Sequence, residues 1–94
     1  MGNMNMSDFY CTQCGTKAIP IWRKASQSRE AGHLKKLWCL KCQKETNHAE
    51  VRPFGKYNYE DFLIEYNYGN FKEDGTRGKK YTEFEHELRN KGVI

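Results

Sequence analysis

The chain has 94 residues, of which 37% are hydrophobic, 14% aromatic and 30% charged, and its net charge is +4. This length fits one domain, and so sparse an apolar supply predicts that a cross-link such as a metal ion supplements the core. No run approaches the ~18 apolar residues of a membrane span, and the polar start lacks the apolar region of a signal peptide. We therefore expect a cytoplasmic protein without a membrane partner, in which thiols stay reduced.

Charge is distributed unevenly between the two halves of the chain. Residues 1–57 hold ten Lys and Arg against four Asp and Glu, a net charge of +6, and residues 58–94 hold six against eight, a net charge of −2. The asymmetry suggests two surfaces with different partners, although ordinary solvated charge explains it equally well.

The first half reads as strands. Residues 1–8 are polar and predict a flexible N-terminus. Strand-like runs follow at residues 17–23, 33–39 and 47–54, and Pro20 in the first run favours an edge strand or a bulge. Polar residues 24–32 predict an exposed hairpin tip. Trp38 is predicted to be a core residue, whereas core and surface positions both stay open for Trp22.

Helical periodicity begins after Pro53. Asn58 and Asp61 predict a capping box, and an apolar face at i, i+3, i+4 and i+7 follows, formed by Tyr59, Phe62, Leu63 and Tyr66. Gly69 is predicted to end this helix. Residues 70–80 predict a mobile loop or a short hairpin. A second capping box, Thr82 with Glu85, predicts a helix that ends at Gly92.

All four cysteines fall into two Cys-x-x-Cys pairs. Two intervening residues let a tight turn, here called a knuckle, aim both sulfur atoms at one point, and two facing knuckles supply the tetrahedral thiolate set of structural zinc. Gly15 suits the positive φ that ends the first knuckle (residues 11–15), whereas Gln43 takes the equivalent place in the second knuckle (residues 39–43). The pattern predicts one structural Zn²⁺ held by Cys11, Cys14, Cys39 and Cys42.

Three other chemistries compete for these cysteines. Disulfides are disfavoured by the expected compartment, and a redox Cys-x-x-Cys needs only one pair and usually a βαβ context. Iron in the same Cys₄ cage stays open. A complete Cys₄ site leaves no vacancy for water, so we expect no enzyme activity, no catalytic residue and no small-molecule substrate. Such a site needs no histidine, so surface positions are predicted for His33, His48 and His86.

The segments Tyr10-Cys-Thr-Gln-Cys-Gly15 and Trp38-Cys-Leu-Lys-Cys42 resemble a zinc ribbon, within the broad rubredoxin-like group of folds. The resemblance covers about residues 9–54 and implies an antiparallel β-hairpin plus a third strand around zinc. The 24 residues between Cys14 and Cys39 imply an extended hairpin. Rubredoxins, the iron electron carriers, resemble the spacing too, but they are acidic and carry Pro and Gly in the second knuckle. In size and in its Lys/Asn-rich character the chain is similar to small phage-encoded ribbon proteins.

These features together predict a small α+β protein with one domain at residues 9–94. The zinc ribbon covers residues 9–57, and two short helices form an extension at residues 58–94. Basic and aromatic residues are interleaved in two basic runs, Trp22-Arg23-Lys24 and Lys35-Lys36-Leu37-Trp38, and such mixtures can neutralise phosphates and stack bases. We therefore predict a non-catalytic module that binds nucleic acid, or a nucleoprotein complex, through a basic hairpin with the candidate contacts Arg23, Lys24, Arg29, Lys35 and Lys36.

Two other functions stay open. The first is a protein-binding adaptor, or an inhibitor of a nucleic-acid enzyme, that docks through the C-terminal half. The second, a minor alternative, is a rubredoxin-like iron electron carrier.

Overall fold

The computed structural model describes residues 4–24, 32–52 and 56–94, without the side chains of Met4, Arg23 and Lys24. Within these ranges the elements are β1 (Met4–Cys11), β2 (Ile21–Lys24), β3 (Leu34–Cys39), β4 (Lys44–Val51), α1 (Tyr59–Asn67) and α2 (Tyr81–Asn90). One antiparallel sheet and two helices confirm the predicted α+β class. Neither helix has the length and apolar character that crossing a membrane requires.

The four strands form one sheet in the order β2-β1-β4-β3. The first half of β1 pairs with β2, from Met4 opposite Lys24 to Ser7 opposite Ile21. The second half pairs with β4, from Asp8 opposite Val51 to Cys11 opposite His48. Strands β3 and β4 pair along the whole length of β3. The strands on either side of each knuckle are therefore hydrogen-bonded partners.

The predicted hairpin between residues 17–23 and 33–39 is wrong, because β2 and β3 occupy opposite edges of the sheet. The first knuckle turns the chain back along β1 instead. The amide of Cys11 donates to the carbonyl of Thr16 at 2.9 Å, and that of Ala18 donates to the carbonyl of Phe9 at 2.7 Å. These bonds start the pairing that β2 continues. Residues 25–31 of the predicted tip lie outside the described residues.

The prediction of a flexible N-terminus fails for residues 4–8, which belong to β1. Polar residues are tolerated there because their partners satisfy them. Ser7 is buried, and its hydroxyl donates to Glu50 Oε2 at 2.7 Å. Residues 1–3 lie outside the described residues.

Helix α1 covers one face of the sheet through aromatic side chains. Tyr10 on β1 lies 4.8 Å from the ring of Tyr59 and 5.2 Å from that of Phe62, measured between ring centroids. Phe62 is fully buried and also contacts Phe71, while Ala49 joins the same cluster from β4. The predicted apolar face of α1 thus packs on the ribbon half. That residues 9–94 form one domain stays a prediction.

The two helix starts differ in how they are capped. Asn58 and Asp61 form the predicted reciprocal capping box of α1. Helix α2 instead starts at Tyr81, one residue before the predicted cap, with Lys80 at the N-cap and no side-chain cap. Tertiary packing explains this start, because Tyr81 is buried edge-on against Tyr57 and its hydroxyl donates to Asp61.

Candidate metal centre

The first knuckle closes at the end of β1. The amide of Gly15 donates to the carbonyl of Cys11 at 2.8 Å, and Gly15 has a φ of +77°. The amide of Gln13 lies 3.4 Å from Cys11 Sγ, in position to donate to it. Glycine is needed here because other residues pay a steric cost in the left-handed region.

The second knuckle repeats this geometry between β3 and β4. The amide of Gln43 donates to the carbonyl of Cys39 at 2.7 Å, and the amide of Cys42 donates to Cys39 Sγ at 3.4 Å. Gln43 has a φ of 56° and is the one non-glycine residue with positive φ in the part of the chain that the structure describes. The second knuckle therefore carries a backbone strain at Gln43 that glycine avoids at Gly15 in the first knuckle.

The two knuckles bring all four sulfur atoms within 4.8 Å of one another. The Sγ atoms of Cys11 and Cys42 are 3.9 Å apart, and those of Cys14 and Cys39 are 3.4 Å apart. A tetrahedral ion with bonds of ~2.3 Å to sulfur requires sulfur–sulfur separations of ~3.8 Å. The four cysteines are not disulfide-bonded, and their spacing fits one metal ion.

Electrostatics show why these thiols need a cation. Burial raises the pKa of Cys14, but hydrogen bonds with Thr16 and with the neighbouring sulfur atoms outweigh it and lower the pKa to about 6. Desolvation, followed by hydrogen bonds with the other three cysteines, raises the pKa of Cys42 to about 12. Burial also raises the pKa of Cys11. The Cys14 thiolate forms readily, whereas Cys11 and Cys42 resist ionisation, so a set of four thiolates requires a bound positive charge.

Two threonine hydroxyl groups lie against the sulfur cluster. Thr46 Oγ1 lies 3.0 Å from Cys11 Sγ, and Thr16 Oγ1 lies 3.2 Å from Cys14 Sγ. Groups that hydrogen-bond to ligand atoms hold them in place and tune their charge. The donor set, the spacing and these hydroxyls all fit a thiophilic metal ion.

The loop between the helices docks on the first knuckle. Gly75 is buried, and its carbonyl oxygen accepts hydrogen bonds from Thr12 Oγ1 at 2.9 Å and from Asn47 Nδ2 at 3.2 Å. Gln13 Nε2 donates to the carbonyl of Glu73 at 3.3 Å. The predicted short hairpin at residues 70–80 is present as a bridge between Phe71 and Arg77. Sequence reasoning missed its attachment to the knuckle, because no local pattern encodes it.

The structure does not bring the predicted nucleic-acid contacts together on one hairpin. Lys35 and Lys36 lie on β3, whereas Arg23 and Lys24 lie on β2 at the opposite edge, with side chains outside the description. Arg29 lies outside the described residues. Lys36 is exposed, and Lys35 is half-buried opposite His48.

Trp38 is not a core residue. Its side chain is 58% exposed on the edge strand β3, and Trp22 is 59% exposed on β2. The prediction for Trp38 fails because the aromatic cluster on this face reaches Leu34 at the start of β3, whereas Trp38 lies near the other end of the strand, opposite the exposed Glu45. Exposed Lys36, Lys41 and Lys44 lie along the same hairpin as Trp38. None of them forms an ion pair with any residue that the structure describes.

The three histidines differ in burial. His86 is exposed as predicted, and His33 is half-buried. His48 is only 1% exposed, so its predicted surface position is wrong. Its Nδ1 lies 2.9 Å from the carbonyl oxygen of Thr46, and burial lowers its pKa. A neutral ring that donates from Nδ1 fills this interior position.

Comparison of the chain with protein-family models, with curated proteins and with solved structures gives no match.

Proposed function

We propose that the chain is a non-catalytic binding module with one structural zinc ion in a zinc-ribbon arrangement, and that it binds single-stranded nucleic acid. Zinc suits the site because it prefers four thiolates in a tetrahedron. All four positions are taken by cysteine, which leaves no place for a metal-bound water. Because zinc thiolates need a reducing compartment, we propose the cytoplasm as the location.

The observation that carries the nucleic-acid proposal is the exposure of Trp38 on a hairpin whose exposed lysines form no ion pair with any described residue, with the exposed Glu45 as the cross-strand neighbour of Trp38. We define the second-knuckle hairpin as β3, the second knuckle and β4. Trp38, Lys36, Lys41 and Lys44 all lie on this hairpin. An exposed indole can stack on an unpaired base, and lysines neutralise the adjoining phosphates. Bases in a duplex are already stacked on each other, so the proposal is for single strands.

The test is fluorescence anisotropy with labelled 12-nucleotide oligo-dT and oligo-U at several salt concentrations. Stacking on tryptophan is worth about 1–3 kcal/mol per base, so Trp38→Ala should weaken binding by about 5- to 150-fold. Lys36→Gln and Lys44→Gln should each make the salt dependence shallower. Trp22→Ala is the matched control, since Trp22 is equally exposed at the opposite edge, and it should leave affinity unchanged. A zinc-loaded chain without affinity at low salt would refute the proposal.

The adaptor hypothesis is the second candidate, but its aromatic docking face is partly used within the chain. Phe62 is fully buried, and Tyr66 packs against it at 5.8 Å between ring centroids. An adaptor would therefore have to dock through the acidic surface of the C-terminal half. The iron electron carrier is distinguished by metal analysis and by colour, because oxidised Fe–S₄ centres are red and zinc is colourless.

A further inference from the structure

An apolar groove of about 420 Å³ lies on the sheet next to the two knuckles. One wall is the chain that leaves the first knuckle and enters β2, and the other is the end of β3 with the start of the second knuckle. The sheet must curve for residues at its two opposite edges to line one groove. Its lining includes Ile19, Ile21, Leu37, Trp38, Leu40 and His48.

The rim of this groove exposes large apolar side chains. Ile19 is 79% exposed on one wall, and Leu40 is 77% exposed on the other, beside Trp38. A single exposed aliphatic residue is ordinary, but a patch in which several converge on one concavity indicates an interaction site. The volume is within the range of about 300–1,000 Å³ that is typical of ligand sites. A short segment with a few apolar side chains fits this space.

The charges at the groove specify the partner further. Among the described residues, no acidic side chain lines it and Lys17 is the one cationic lining residue, with its Nζ 3.5 Å from Asp8 Oδ1 at the exposed margin. Half-buried Lys35 shares the strand face of the lining residue Leu37 and lies opposite His48, and exposed Lys41 adjoins Leu40 in sequence. Neither lysine pairs with a carboxylate among the described residues. The groove is thus apolar with a cationic margin. Its charge complements a segment that combines apolar side chains with carboxylates.

A nucleic acid fits the groove less well than such a segment. Bases carry several hydrogen-bonding groups, and the aliphatic walls of Ile19, Ile21 and Leu40 would leave them unpaired at a cost of about 1–3 kcal/mol each. Among the residues at the rim, Trp38 alone offers a surface on which a base stacks, and the aliphatic side chains around it offer none. Apolar side chains gain ~25 cal/mol per Å² of area removed from water.

We propose that this groove binds a short acidic segment of a partner protein, with its apolar side chains between Ile19 and Leu40 and its carboxylates at the flanking lysines. This interaction is additional to the nucleic-acid function, and the two sites share only Trp38 and Lys41. Variants at Ile19 and Leu40 therefore test the groove without touching the proposed stacking residue.

The experiment is a selection of random 12-residue peptides, displayed on phage, against the zinc-loaded full chain. We expect enriched peptides to combine Trp, Phe, Leu or Ile with Asp or Glu. A synthetic copy of the most enriched peptide should bind at least 10-fold more weakly to Ile19→Ser and to Leu40→Ser. Lys41→Gln should weaken binding and make it less sensitive to salt. Val93→Ser, a change at an exposed apolar residue outside the groove, is the matched control and should have no effect.

Five outcomes would overturn the proposal. Four are the absence of enrichment, enrichment of basic or uncharged peptides, binding that persists in both groove variants, and self-association of the chain that these variants abolish. The fifth is a loss of oligo-dT affinity in a groove variant. Zinc content and circular dichroism establish that each variant is folded. Oligo-dT binding by Ile19→Ser separates the two functions. Unchanged oligo-dT affinity supports a separate peptide site, and a parallel loss would assign the groove to nucleic acid and overturn the proposal.

Discussion

Thr12 donates a hydrogen bond from its side-chain hydroxyl to the carbonyl oxygen of Gly75 at a distance of 2.9 Å. Thr12 lies between the first two cysteines, and Gly75 lies in the loop between the helices. Asn47 donates to the same oxygen at 3.2 Å. The knuckle that positions Cys11 and Cys14 is therefore fastened directly to the C-terminal half, and each should stabilise the other.

Gly75→Ala tests this attachment. A Cβ at Gly75 would lie 3.1 Å from Thr12 Oγ1 and 3.2 Å from Gln13 Nε2, and the residue has a φ of +86°. We expect a loss of about 1–2 kcal/mol from the left-handed backbone and about 1–3 kcal/mol more from overpacking. Gly69→Ala is the control, since its φ is +79° and its Cβ would meet nothing within 4 Å. Urea denaturation measures both, and equal losses would show that the attachment contributes no stability.

One zinc ion per chain is expected in protein purified without a metal-binding tag. The reason is the cluster of four sulfur atoms within 4.8 Å of one another. Elemental analysis by mass spectrometry provides the measurement. Stoichiometric iron, or no metal in folded protein, would contradict the expectation.

Removing the metal should unfold the sheet. Zinc binding contributes ~10–16 kcal/mol in finger peptides, which exceeds the stability that a domain with a sparse core can hold in reserve. Cys39→Ser, or excess chelator, should abolish native circular dichroism. Thr82→Ser, at an exposed helix position far from the cluster in sequence, should retain both metal and fold. Near-native melting of the Cys39→Ser variant would rule out a structural role for the metal.

Gln43→Gly should stabilise the protein. The φ of 56° places Gln43 in the left-handed region, which costs a non-glycine residue roughly 1–2 kcal/mol. Because glycine has more freedom to lose in the unfolded chain, we expect a net gain of about 0.5–1 kcal/mol. The reverse change at the equivalent position, Gly15→Gln, should destabilise. Thermal melting of the zinc-loaded variants would contradict this reasoning if both moved in the same direction.

Arg77→Met should destabilise the C-terminal half strongly. Arg77 forms two hydrogen bonds with the fully buried Glu65, at 2.7 and 2.8 Å, and removing one partner of a buried pair costs about 3–5 kcal/mol. The melting temperature should therefore fall by at least about 12 °C for a domain of this size. Arg89→Met is the control, because its pair with Glu85 is exposed and worth less than about 0.5 kcal/mol. Similar melting shifts for the two variants would refute the special role of the buried pair.

Local patterns carried much of the prediction. The spacing of Cys11, Cys14, Cys39 and Cys42 indicated the sulfur cluster, because two residues between a pair of cysteines fix the geometry of the turn that directs both sulfur atoms to one point. The capping box at Asn58 and the apolar face of α1 were visible for the same reason, since helical contacts join residues three and four apart.

Contacts between residues distant in sequence could not be predicted from local patterns. The pairing of β1 with both β2 and β4 could not be predicted from hydropathy, because the structure buries the polar Ser7 and exposes the apolar Met6. The exposure of Trp38 depends on β3 being an edge strand, and the burial of Glu65 depends on Arg77 arriving from another loop. Composition and periodicity describe a residue's preference, whereas its neighbours across the fold decide its environment.

The division of β1 between two partners has a consequence for the fidelity of folding. Cys11 is the last residue of β1, whose first four residues pair with β2 and whose last four pair with β4. A slip of this strand by one residue would turn Phe9 and Cys11 out of the interior and withdraw one sulfur from the cluster. A metal ion that requires four thiolates would therefore stabilise the sheet only in the register that brings all four cysteines together.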